Sequence, residues 1–288
     1  MQKLNRKSMA NHQRDGIGRR SLLQSLVTFS GTFAVAHLFL EFNGLPAALA
    51  SQTEAQAANI ETDTVHYSPS SGGYQIEAFL AKPKGSGKYP AAIVVQDNRG
   101  VNDNIKEITR RFAGEGFFAV APDLLSRFGG MAKMRTPEEA GQAINKIPLY
   151  GAIDDLKDTY SFLNQNADVD HGKISCVGFG WGGWRAFMLA TGQPQLYRTV
   201  VFYGTSPDAG LDTVNSPVLA HYAEYDYGIT GNAVWTQETL SKVGKTFQYF
   251  VYPKTFHAFC SDGPRYNADA TKLAWSRTVA FLRDQPVS

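Results

Sequence analysis

Six short, largely apolar runs constrain the fold of this chain more than any other feature. They are Ala91–Val95, Phe117–Ala121, Ile174–Phe179, Thr199–Tyr203, Val218–Tyr222 and Phe247–Tyr252. Short runs that are apolar at nearly every position, rather than at alternate ones, suit strands buried on both faces, the condition inside a parallel sheet. Helical spacing fills the gaps between them. Asn104–Glu115 places Ile105, Ile108 and Phe112 on one face, and Ile153–Asn166 does the same with Ile153, Leu156, Tyr160 and Leu163. Thr136-Pro137-Glu138-Glu139 reads as a capped helix start with proline at its first position. Asn232–Val243 and Tyr266–Leu282 complete the helical set. Tyr74–Leu80 alternates apolar and polar residues, which predicts a half-buried strand near a sheet edge. The chain shows no internal repeat. The pattern predicts one α/β domain, a mostly parallel central sheet with helices on both faces. Functional residues then belong on the loops at the carboxyl ends of the strands.

The first 50 residues read differently. They carry six Lys/Arg against Asp15 and Glu41, so the formal charge of +2 leaves the rest of the chain at −2. Gly18-Arg19-Arg20-Ser21-Leu22-Leu23 is a twin-arginine pair entering an apolar stretch. No charged residue occurs from Ser21 to Leu40, and Ala48-Leu49-Ala50 closes the segment with small residues. A basic start, an apolar stretch and an A-x-A site form an export-signal pattern. The arginine pair resembles a bacterial twin-arginine leader. The expected organisation is a leader over 1–50, a flexible join over 51–60 and an α/β domain over 61–288. Cleavage would release the body into the periplasm or another extracytoplasmic space without membrane attachment. The alternative is a retained anchor, since the uncharged stretch is long enough to span a bilayer. A weakly acidic body without a basic face argues against a nucleic-acid partner. Its two cysteines, Cys176 and Cys260, make no disulfide framework.

The stretch Gly178-Phe179-Gly180-Trp181-Gly182-Gly183 follows an apolar run and precedes a helix. Gly-x-nucleophile-x-Gly across a strand-to-helix turn is the nucleophile elbow of α/β-hydrolases. The small residues let strand and helix approach closely, and the central residue is held at a strained positive φ. Backbone N–H groups at the helix start can then serve an oxyanion. By spacing, the nucleophile position is occupied by Gly180. Glycine supplies no reacting side chain and bears no penalty at positive φ. The alternative is a plain glycine-rich turn, although the stretch lacks the Lys-Ser/Thr of a phosphate loop and the dinucleotide fingerprint. In this architecture an acid and then a histidine follow the nucleophile in the chain. Asp226 follows the run Val218–Tyr222, and His257 follows Phe247–Tyr252. Both occupy the loops where the acid and base would stand, with Glu224 as the competing acid.

Four separated stretches together resemble the dienelactone hydrolase family. Gly178–Gly183 is similar to that family's Gly-Phe-Cys-Trp-Gly-Gly elbow with Cys replaced. Gln96-Asp97-Asn98-Arg99-Gly100-Val101-Asn102 resembles the segment after its first central strand. Phe117–Asp123 resembles a strand end in Ala-Pro-Asp, and His257-Ala258-Phe259 with Pro264-Arg265-Tyr266-Asn267 resembles the segment carrying its histidine. The resemblance spans about residues 60–285 and implies an α/β-hydrolase fold and hydrolysis of a small-molecule carboxylic ester or lactone. It implies His257 as base, Asp226 as its acid, and the N–H groups of Asn98 and Trp181 as the oxyanion hole. Family members use a Cys thiolate that a glutamate holds until substrate binds. Here those positions are Gly180 and the shorter Asp97, which bears on whether the chain is active or is a non-catalytic binding protein on the same fold.

Arg99 and Arg265 are candidates to bind a substrate carboxylate bidentately. Trp181 and Trp184 are candidates to line a pocket. Cys260, three residues after His257, is a remote candidate for a displaced thiol. The six histidines show no metal-ligand spacing, so neither a metal nor another cofactor is expected.

Overall fold

The computed structural model describes residues 59–288. The leader over 1–50, its possible anchor and most of the 51–60 join lie outside the described residues. Ile60, the last residue assigned to the join, instead opens the first strand. Eight strands form one sheet: β1 (Ile60–Tyr67), β2 (Ile76–Pro83), β3 (Tyr89–Val95), β4 (Phe118–Pro122), β5 (Val169–Phe179), β6 (Thr199–Phe202), β7 (Val218–Ala223) and β8 (Phe247–Tyr252). Their order is β1-β2-β4-β3-β5-β6-β7-β8. The pairs β1/β2 and β2/β4 are antiparallel, and all other pairs are parallel.

Seven helices accompany the sheet among the described residues: α1 (Asp103–Gly114), α2 (Pro137–Ile144), α3 (Leu149–Asn164), α4 (Trp181–Gly192), α5 (Tyr227–Thr230), α6 (Ala233–Lys242) and α7 (Ala268–Leu282). Their starts follow from capping chemistry. The Asn102 side chain accepts the Ile105 N–H at 3.1 Å, and Asn267 accepts that of Ala270 at 3.0 Å. At α2 the Thr136 hydroxyl accepts the Glu139 N–H at 3.2 Å, while the Glu139 carboxylate reaches back to the Arg135 N–H at 2.7 Å. The Asn102, Thr136 and Asn267 caps each satisfy a first-turn N–H that the helix itself leaves open, and Glu139 closes the N–H of the residue before the cap.

The alternation inside each strand separates two cores. Ala91, Ile93 and Val95 of β3 face one, packed with Ile153 and Leu156 of α3, Phe187 of α4 and Leu240 of α6. Ala92 and Val94 face the other, with Ile105 and Phe112 of α1 and Ala274 and Phe281 of α7. Continuous apolar runs are therefore what a strand covered by helices on both faces requires. From β3 the chain moves outward to β4, then returns to the opposite side of β3 to lay down β5. That reversal opens a crevice at the carboxyl ends of β3 and β5, where open α/β sheets bind ligands.

Candidate active site

The carboxyl end of β5 turns directly into α4 at Gly180, whose backbone lies at φ 53°, ψ −112°. The turn is held by the Gly180 N–H donating to the Phe202 carbonyl at 2.9 Å and the Gly183 N–H donating to the Gly180 carbonyl at 3.0 Å. Neighbouring glycines are required by contact. A Cβ on Gly178 would lie 2.1 Å from the Gly182 carbonyl oxygen, and one on Gly182 would lie 2.2 Å from that of Gln96. The strand end and helix start are thus as close as backbones allow. Position 180 differs: a Cβ there meets nothing nearer than His257 Nε2 at 3.5 Å and the Tyr203 ring at 3.8 Å. A side chain fits at that point and would face the imidazole.

His257 lies on the loop after β8, and Asp226 is the residue immediately before α5, on the loop after β7. Asp226 Oδ2 is 2.6 Å from His257 Nδ1. A carboxylate at that distance accepts the Nδ1 proton, which leaves Nε2 as the acceptor facing position 180. Glu224 is engaged elsewhere: its carboxylate accepts the Lys254 N–H at 2.6 Å. Trp181 opens α4, and the first N–H groups of a helix have no intrahelical acceptor. Asn98 follows β3 and lies on the wall of the same cavity. Neither the Asn98 nor the Trp181 N–H has a partner among the described residues.

Two cavities meet at Gly180, His257, Trp181 and Tyr203. One, of about 510 Å³, is walled by Asp97, Asn98, Arg99, Ser261, Asp262 and Arg265. In it Asp97 is turned to its neighbour, accepting the Arg99 N–H at 2.8 Å and pairing with the guanidinium at 3.0 Å. The other face of Arg99 is taken by Asp262 at 2.8 Å. Arg99 therefore already has two protein carboxylates, whereas Arg265 is exposed at the rim without an ion-pair partner among the described residues. The second cavity, of about 550 Å³, is walled by Trp184, Arg185, Thr205, Leu149 and Ile229. Cys260 lines neither cavity, and burial pushes its thiol up to about 12, away from thiolate chemistry. Cys176 is buried in the core. Among the described residues no group of His, Cys, Asp and Glu could hold a metal ion.

Two residues of the site carried no mark in the sequence. Tyr203 follows β6 at φ 40°, with its ring 5.2 Å from that of His257 and its hydroxyl 3.2 Å from Ser261 Oγ. Complete burial pushes the phenol well above its ordinary value, so it supports the histidine as a neutral wall. Its position at a strand's carboxyl end was the available clue. Arg185 is the one charged residue of α4, a signal the apolar periodicity conceals.

The mostly parallel sheet, the strand-to-helix turn at its carboxyl edge and the ordered Asp226–His257 pair define an α/β-hydrolase. More narrowly, the chain belongs to the dienelactone hydrolase family, whose profile ("Dienelactone hydrolase family") matches residues 76–285. It is 30% identical over 252 residues to a "Putative carboxymethylenebutenolidase" of Yersinia pestis, covering 81% of this chain and 94% of that one. A protein of the same description from Salmonella typhi is 33% identical over 227 residues, covering 74% and 84%. In fold it is similar to the crystal structure of a "Putative Dienelactone Hydrolase" from Klebsiella pneumoniae. The TM-score there is 0.70 at 29% identity, over 78% of this chain and 98% of that one. These relatives support the resemblance read from the four sequence stretches.

Proposed function

We propose that this chain is an exported, dienelactone-hydrolase-like protein for a small carboxylic ester or lactone, in which the covalent route is closed at Gly180. The observation that carries this reading is His257 Nε2 standing 3.5 Å from where a side chain at 180 would begin. Base, acid and oxyanion donors surround a residue with nothing to donate. Without a nucleophile no acyl-enzyme forms. Hydrolysis then runs through water: Nε2 takes its proton, the hydroxide adds to the carbonyl, and the N–H groups of Asn98 and Trp181 hold the oxyanion. The tetrahedral adduct collapses to the acid, and the alcohol leaves with the proton returned by the imidazolium. Such a site retains only part of a triad's acceleration, on the order of 10³–10⁴ over water in a comparable case.

The test compares wild type with Gly180→Cys and Gly180→Ser on an activated ester and a simple lactone. A gain in kcat/KM of at least about 100-fold is expected for Gly180→Cys. In that background His257→Ala and Asp226→Asn abolish the gain and Glu224→Gln does not. No gain in a folded Gly180→Cys protein rejects the elbow assignment. Wild-type turnover matching that of the cysteine variant rejects the closed route. The second reading is a non-catalytic binding protein, favoured by the relief that glycine gives at φ 53°. Wild type without His257-dependent turnover selects it. Export is supported by the twin-arginine leader pattern, and N-terminal sequencing of the secreted chain tests it: a start near Ser51 is expected, and a start near Met1 rejects cleavage.

A further inference from the structure

Arg185 stands in the second turn of α4 on the wall of the 550 Å³ cavity. Its guanidinium carbon lies 3.6 Å from the Trp181 ring centre and 4.9 Å from that of Trp184. Nη1 donates to the Trp181 carbonyl at 3.2 Å, and Nε is buried with no acceptor. No carboxylate among the described residues lies within ion-pair distance. Two other partly buried arginines are answered differently: Arg127 by Asp155, and Arg99 by Asp97 and Asp262. Desolvation lowers the Arg185 guanidinium to about 10, which leaves it cationic at neutral pH. It is the one permanently charged side chain on this wall.

A desolvated cation without a counter-charge is costly, and a ligand that brings the charge removes the cost. The guanidinium fork matches a planar carboxylate, and its remaining donors are not taken by protein. Trp181, Trp184, Leu149 and Ile229 supply flat or aliphatic walls, which favour an organic anion over a strongly hydrated inorganic one. On the opposite side of position 180, Arg99 is already neutralised by its two carboxylates. The geometry points to Arg185, stacked on Trp181 and Trp184 without a protein carboxylate, as the anchor of a second subsite that takes the carboxylate of a flat organic acid. Resting on the ester or lactone reading above, it sets which end of the substrate enters this cavity. The scissile carbonyl is then left over Gly180.

Direct binding to the full chain tests this without recourse to turnover. Benzoate is titrated into wild type by calorimetry, with benzamide as neutral isostere and inorganic phosphate as competitor. Benzoate is expected to bind at least about tenfold more tightly than benzamide. Arg185→Gln weakens benzoate by a similar factor and leaves benzamide unchanged, Arg185→Lys falls between, and Arg265→Gln has no effect. Equal binding of benzamide overturns the proposal, as does full benzoate affinity in Arg185→Gln or its loss in Arg265→Gln. Absence of benzoate binding at tens of millimolar, or phosphate competing as well as benzoate, also overturns it. Should Arg185→Gln not fold, the benzoate-to-benzamide ratio in wild type and in Arg185→Lys decides the same question. A failed gain in Gly180→Cys rejects the catalytic reading alone, whereas failed benzoate binding rejects only the anchor.

Discussion

Glycines 178, 180 and 182 look alike in sequence and serve unlike purposes. At Gly178 and Gly182 an added methyl would sit 2.1–2.2 Å from a carbonyl oxygen, so strand and helix must separate. At Gly180 the methyl has room and only the backbone angle resists it. Alanine at 180 is therefore expected to cost about 1–3 kcal/mol of strain. Alanine at 178 or 182 is expected to cost more, about 3–5 kcal/mol, because backbone rather than a side chain must move. Urea midpoints of the three variants check the ranking, and a Gly180→Ala protein less stable than Gly178→Ala contradicts it. The glycine spacing was legible as an elbow. Which glycine answers a contact and which a torsion was not, because that depends on how tightly the helix start folds back on β5 and on the end of β3.

Elements with apolar periodicity lie within a few residues of where the sequence places them. β1 was not legible: Ile60–Tyr67 is half polar, and most of its side chains face solvent at the sheet edge. The alternating segment Tyr74–Leu80 is shifted to Ile76–Pro83, with β1 rather than β2 at the edge. Tyr74 has a different task. Its hydroxyl donates to Asp155 Oδ1 at 2.5 Å, while Arg127 pairs with Oδ2 at 2.7 Å and donates to the Gly151 carbonyl at 2.8 Å. One buried carboxylate on α3 thus ties down the approach to β2 and the turn after β4. Asp155→Ala strands a cation and a hydroxyl, and a loss of about 3–5 kcal/mol is expected. Chemical denaturation measures it, and a loss below about 1 kcal/mol would show that the tie is dispensable. The tie joins residues more than 80 apart, and no local pattern carries such a partnership.

For the whole molecule, the carboxyl half of the sheet is tied to acid conditions through His221. It is fully buried on β7, with Nδ1 2.9 Å from the Tyr252 hydroxyl and Nε2 2.9 Å from that of Thr278. Burial lowers it to about 3 from an ordinary value of 6.5. Between those values the unfolded chain takes up a proton that the folded chain refuses. Stability is therefore lost as pH falls below about 6.5, at up to about 1.4 kcal/mol per unit and about 2 kcal/mol by pH 5. Stability curves at pH 7 and pH 5 check this: His221→Asn should flatten the difference, and an unchanged difference places the acid sensitivity elsewhere. The sequence by itself determined the fold class, the strand-to-helix turn at Gly180 and the chain order of the Asp226–His257 pair. Those rest on local periodicity, glycine spacing and the rule that functional loops follow strands. Tertiary structure alone decided that Asp97 and Asp262 share Arg99, that Glu224 caps a turn while Asp226 meets His257, and that Arg185 is left without a counter-ion. Charge pairing acts through space over a few ångströms, and only the folded sheet brings loops from β3, β5, β7 and β8 within that range.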